Sequence, residues 1–192
     1  MSSTQNNEKI IGIHRPGLKE KFFFFLSGTI VSIPFTLYTR TLTSQLCVLM
    51  PILYARICST AIFTPFVEEF AKAYPLLYRH GETERSIFTL GFIVGLGFGI
   101  TEFFMYVFLV RAPIYIRLPG IFFHAASTSI TAYGIARKRP WLYLVAVTLH
   151  FLNNLGAIFG LLWLIYGFPT LIVALFLSWT FYWKTSPVRF SD

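Results

Sequence analysis

Apolar residues come in blocks along this chain, and short polar stretches carrying Arg, Lys or Pro divide the blocks. Residues 1–21 are polar and hold Lys9, Arg15, Lys19 and Lys21, the composition of a solvated tail. The first apolar run covers 22–38. A basic tail ahead of an apolar run is also the form of a signal peptide, but no small-x-small cleavage site follows, so an uncleaved helix is expected. Residues 43–78 are mostly apolar and too long for one crossing of about 20 residues. Pro51 and Arg56 interrupt their first half. The pattern therefore predicts a surface-lying or re-entrant helix over 42–56 and a second span over 58–78. Further spans are predicted over 86–110, 118–136, 141–159 and 161–183, separated by polar loops at 79–85, 111–117 and 137–140 and by a turn at Gly160. The expected fold is all-α: a polytopic transmembrane helix bundle of about six spans plus one interfacial or re-entrant helix. It forms a single membrane-embedded domain over 22–184, with tails at 1–21 and 185–192.

Composition agrees with the pattern. The chain is 55% hydrophobic and 12% charged, where a soluble domain carries about 25% charged residues. The net charge of +8 does not point to nucleic acid, because the basic residues sit singly or in short clusters between apolar runs, as topology signals do. Six spans put both tails on one side. The tails, the loops at 79–85 and 137–139, and Lys184 just after the last span then hold eleven Lys and Arg, including Arg137-Lys138-Arg139, while the other side keeps Arg40, Arg111 and Arg117. That bias places both termini in the cytoplasm. Cys47 and Cys58 are the two cysteines. On one helix they would stand ~16 Å apart, beyond disulfide reach. With no Cys-x-x-Cys pattern, thiolate metal sites and redox chemistry are not expected.

Ionisable residues inside the apolar blocks are few: Glu68, Glu69, Lys72, Glu102, His124 and His150, on four predicted spans. An ionised group at the bilayer centre costs at least ~2.5–3.5 kcal/mol on insertion scales, and such groups face the bundle interior and pair with one another. Lys72 can meet Glu68 at i,i+4 or Glu69 at i,i+3. Gly91, Gly95 and Gly99 repeat every fourth residue, a face that admits close helix approach, and Glu102 lies on that face. Each residue also has a plain structural role open to it. The acids with Lys72 can form a buried ion pair, and Glu102 can anchor a helix contact. A histidine can pack with Thr128 or Asn154 as its partner. Asn153 or Asn154 can act as interhelical glue, worth ~0.6–2 kcal/mol. Three acids and two histidines on four spans exceed what packing needs, so the six are expected to converge. Their chemistry is water activation: a carboxylate in an apolar site serves as general base, His and Glu can share a water or a metal, and Asn or His can donate to an oxyanion.

The motifs carry a resemblance. Glu68-Glu69-Phe70-Ala71-Lys72 fits EExxK, Phe98 to Glu102 fits FxxxE, His124 is followed by Thr128 and Gly134, and His150 to Asn154 fits HxxxN. Their order and spacing over residues 60–160 resemble the PrsW family of intramembrane proteases, within the superfamily of type II CAAX prenyl proteases and bacteriocin-processing enzymes. In prenyl-processing relatives the first motif usually ends in Arg and the second carries His. Lys72 and Glu102 therefore favour the PrsW branch. The resemblance implies an intramembrane endopeptidase acting on membrane-anchored protein or peptide substrates within the lipid bilayer, with no nucleic-acid partner. Glu68 would be the base, with Glu69 supporting it. His150 and Asn154 would serve the oxyanion, and Lys72, Phe98 and Thr128 would support the site. Glu102, His124 and His150 form a conditional zinc set with one open position; a metal-free glutamate mechanism is preferred. Two other classes stay open: a proton- or ion-coupled transporter, against which stands the lack of inverted repeats, and a catalytically inactive membrane scaffold.

Overall fold

The computed structural model describes residues 15–78, 83–160 and 163–187. The parts of the expected tails at 1–14 and 188–192, and of the expected loop at 79–82, lie outside the described residues. Six helical rods follow one another: α1 (Leu18–Cys47), α2 (residues 52–77), α3 (Glu84–Leu109), α4 (Ile114–Ala136), α5 (Trp141–Ile158) and α6 (Trp163–Lys184). No β-strand occurs among the described residues. Four rods hold stretches long and apolar enough to cross a membrane, in α1, α3, α5 and α6. The other two, α2 and α4, carry Glu68, Glu69, Lys72 and His124, and these polar groups lower their mean hydropathy.

The start of the bundle differs from expectation. α1 begins at Leu18, ahead of the apolar run at 22, because Gly17 opens the helix and the Glu20 carboxylate accepts its N–H at 3.2 Å. Residues 42–56 are not one separate helix. Their first part ends α1 at Cys47, and their last part begins α2 after Pro51. Pro51 is extended, with ψ 146°. A proline has no N–H to offer a preceding turn but suits a helix start, so the chain reverses at 48–51. That reversal also corrects the cysteine reading. Cys47 and Cys58 sit on two adjacent rods, 6.0 Å apart at Cα, and form a disulfide.

α4 is the central rod, with residues 123–134 buried without interruption. One apolar cluster packs it against α3, α5 and α6 through Phe88, Phe123, Ile130, Leu142 and Leu171. A second joins α1, α2 and α3 through Phe24, Leu76 and Val94. The glycine face of α3 makes the α3–α4 approach possible. A Cβ at Gly95 would collide with the His124 carbonyl, and one at Gly99 would lie 2.8 Å from Ile121 Cα. Close approach of small residues is how helices associate in lipid, where burial gives no drive of its own. At the end holding the termini, Glu84 takes Arg137 at 2.8 Å and the Ser186 N–H at 2.9 Å. Arg137 therefore clamps α3, α4 and the end of α6 together, a role its place in a basic loop did not reveal.

Candidate active site

α2 presents its acids toward the bundle because of how it is wound. Residues 57–63 form a wide π-helical turn, a feature often found at functional sites. The Thr64 N–H turns to Ser59 O, and Pro65 has no N–H to give. Asn154 on α5 supplies the missing donor to Thr60 O at 3.0 Å. One N–H of Asn154 is thereby fixed, and the residue lines the cavity described below.

Below that turn, Glu69 is fully buried. Its Oε1 accepts from Lys72 Nζ at 2.6 Å, His150 Nδ1 at 2.8 Å and Ser127 Oγ at 3.2 Å, and its Oε2 has no partner. Lys72 thus takes the i,i+3 acid rather than Glu68, since Glu69 is the one turned toward Ser127 on α4 and His150 on α5. The same ammonium reaches His124 Nδ1 at 3.0 Å and lies 5.0 Å from the centre of the Phe98 ring. Phe98 in turn packs on His124, ring centres 4.9 Å apart.

These partners set the proton on each imidazole. An ammonium only donates, so His124 accepts at Nδ1 and gives its Nε2 proton to Glu102 Oε2, 2.7 Å away. His150 is turned the other way: Nδ1–H points at the Glu69 carboxylate, and Nε2 lies toward Glu68. Glu68 Oε2 lies 3.5 Å from that Nε2, too poorly placed for a hydrogen bond, and is buried without a partner. Among the described residues Glu68 forms no hydrogen bond, whereas its neighbour receives three.

A cavity of about 640 Å³ opens beside these groups, at the end of the bundle away from the termini. Glu68, Glu102, His124, His150, Asn153 and Asn154 line it. Glu69 touches His150, and Lys72 and Phe98 touch His124, so these three support two residues of its lining. Thr128 is buried with its hydroxyl unpartnered and meets neither histidine. Ser127 holds Glu69, a part its position beside other hydroxyl residues did not single out. Arg40, Arg56 and Arg117 also line the cavity. Sequence reasoning set Arg40 and Arg117 aside as loop charges and Arg56 as an interruption, and no local signal distinguishes them.

The residue types match a zinc set, but the hydrogen bonds leave His124 no nitrogen free to ligate: Nδ1 faces Lys72 and Nε2 is engaged with Glu102. Glu68, His124 and His150 bring a carboxylate oxygen and two ring nitrogens within 4.8 Å of one another, and mixed His/carboxylate sets are usual for catalytic zinc. This set shares His124 and His150 with the set expected from the sequence and has Glu68 where that set has Glu102.

An acid–imidazole–acid constellation buried in an apolar helix bundle beside a cavity can activate water or relay protons. The family comparison narrows this: the model of the PrsW family intramembrane metalloproteases matches residues 19–180. The chain belongs to that family, and it is an integral membrane peptidase. No curated protein and no solved structure matches it.

Proposed function

We propose that the chain is an endopeptidase that cuts a membrane-anchored protein with a water activated by Glu68. The observation behind this is the asymmetry of the two acids: Glu69 is fixed by three donors, while Glu68 faces the cavity with no hydrogen bond. A water beside Glu68 Oε2 and His150 Nε2 can donate to both. Glu68 takes one proton as the oxygen adds to the scissile carbonyl carbon, and Glu69 holds His150 in the ring orientation that steadies the water. The second N–H of Asn154 would donate to the oxyanion. In this scheme His150 steadies the water and Asn154 takes the larger part of the oxyanion role expected of the two. The proton on Glu68 then passes to the leaving amine as the C–N bond breaks. Glu102 acts through His124, which it orients beside the same wall. A zinc would have to displace Lys72 or Glu102 from His124 before Glu68, His124 and His150 could hold it and lend it their donors.

We read all six rods as spans with both termini in the cytoplasm. Two independent features support this orientation: the excess of Lys and Arg at the termini-bearing end, and the Cys47–Cys58 disulfide at the other end, since disulfides persist in oxidising compartments. Cleavage would then occur toward the outer face. The transporter and scaffold readings are not favoured by the family.

The test is Glu68→Gln in purified protein reconstituted with single-span peptide substrates. Cleavage should fall by at least ~10²-fold while the protein stays folded. Undiminished cleavage would refute Glu68 as the base.

A further inference from the structure

The cavity lining also holds three guanidinium groups from three rods: Arg40 of α1, Arg56 of α2 and Arg117 of α4. No described carboxylate forms an ion pair with any of them. Arg117 lies flat on Tyr106, its guanidinium 3.5 Å from the ring centre. Stacking fixes the plane of the fork, and the Arg117 Nε is buried with nothing to donate to. The two cavity acids meet this charge only at a distance, Arg40 acting on Glu68 and Arg117 on Glu102, and neither pairs with it. Glu102 is engaged by His124, and Glu68 faces His150. Positive residues are also disfavoured in outer segments flanking a span, so three gathered on one outer-end cavity call for a reason beyond topology. Guanidinium forks recognise planar oxyanions through paired hydrogen bonds.

We propose that Arg40, Arg56 and Arg117 select substrates bearing an acidic side chain next to the scissile bond. The inference rests on the peptidase reading above and names the substrate class for the same site. Recognition by a peptide carboxylate fits better than recognition by a lipid phosphate, because the arginines share one cavity with Glu68 and His150. An anion held there lies beside the reacting carbonyl, where a resident headgroup would block the catalytic water. The cavity also holds apolar surface from Ile116, Phe123 and Leu171, suited to side chains flanking an acid. A charged hydrogen bond removed from water contributes to binding only when both partners are present. A substrate with Asn or Gln in place of the acid would leave the forks unmatched.

The experiment uses full-length protein in discs of neutral phosphatidylcholine and two probes. Each probe has an apolar span followed by an outer segment, identical except that Asp and Glu in one are Asn and Gln in the other. Photocrosslinking reads binding, and product formation reads cleavage. The acidic probe should crosslink at least ~10-fold better, on the scale of a hydrogen bond to a charged group. In Arg40→Gln and Arg117→Gln the ratio between probes should fall toward one. Arg56→Gln should lower it too; that side chain is exposed, so its loss does not threaten folding. Equal crosslinking of the two probes, or a ratio unchanged in all three variants, overturns the proposal. So does arginine-dependent crosslinking of phosphatidylglycerol, added to the discs, with no preference between peptides. Acid- and arginine-dependent crosslinking without cleavage supports the inference while refuting the peptidase reading. Cleavage blind to the acid does the reverse.

Discussion

Replacing Lys72 by Met should destabilise the bundle far more than replacing Glu68 by Gln. Lys72 and Glu69 are both inaccessible to solvent, and 2.6 Å separates Nζ from Oε1. Met keeps much of the length of the side chain but removes the only ammonium in the cluster. Glu69 would retain His150 and Ser127 as donors and lose its counter-charge, while His124 would lose the donor at Nδ1. Breaking one partner of a buried ion pair costs about 3–5 kcal/mol, because the remaining charge is left uncompensated. Glu68→Gln removes no hydrogen bond within the described residues and should cost no more than about 1 kcal/mol. The double variant Lys72→Met/Glu69→Gln removes both charges and should recover part of the loss, giving a coupling of about 0.5–3 kcal/mol. Equilibrium unfolding of the single and double variants in one detergent measures each figure, and cleavage of a single-span probe runs alongside. Two outcomes would refute the reasoning. One is a Lys72→Met cost no greater than that of Glu68→Gln. The other is a double variant that simply adds the two single losses, which would mean that the pair is not coupled.

Chelation tests how the water is held. A metal-ligating histidine normally donates its other ring N–H to an acceptor, and Lys72 at His124 Nδ1 is a donor. Cleavage by the purified protein should therefore survive a zinc chelator; loss on chelation that zinc restores would refute the metal-free scheme. The disulfide tests orientation: in sealed cells, a membrane-impermeant maleimide should label Cys47 or Cys58 from outside only after reduction, and labelling only after the cytoplasm is opened would invert the topology.

Much of the site was legible because lipid makes each ionisable residue costly. Glu68, Glu69, Lys72, Glu102, His124 and His150 stand out against apolar neighbours, and no soluble helix would have exposed them so plainly. The helical rods were legible for the same reason, since long apolar blocks leave little choice of structure in a membrane. What stayed hidden depends on tertiary geometry. The disulfide depends on where Pro51 breaks the chain, because the same two cysteines are out of reach on one helix and adjacent across a reversal. Arg40, Arg56 and Arg117 resemble ordinary residues near span ends until the rods bring them to one wall. Asn154 reads as one of two equivalent amides, and only the π-helical turn before Pro65 gives it a carbonyl to satisfy.

The two adjacent glutamates show where local pattern stops. The i,i+3 and i,i+4 spacings to Lys72 are both available to an isolated helix, and neither is favoured strongly enough to choose. The choice comes from α4 and α5, which place Ser127 and His150 on the Glu69 side. With the ammonium and the imidazole drawn to Glu69, Glu68 is left on the cavity side with no donor of its own. A single carboxylate at this point would have to serve as both counter-ion and base, and a base tied to an ammonium is a poor acceptor for a proton. Two carboxylates in sequence divide those tasks, and the packing of two other rods decides which residue takes which.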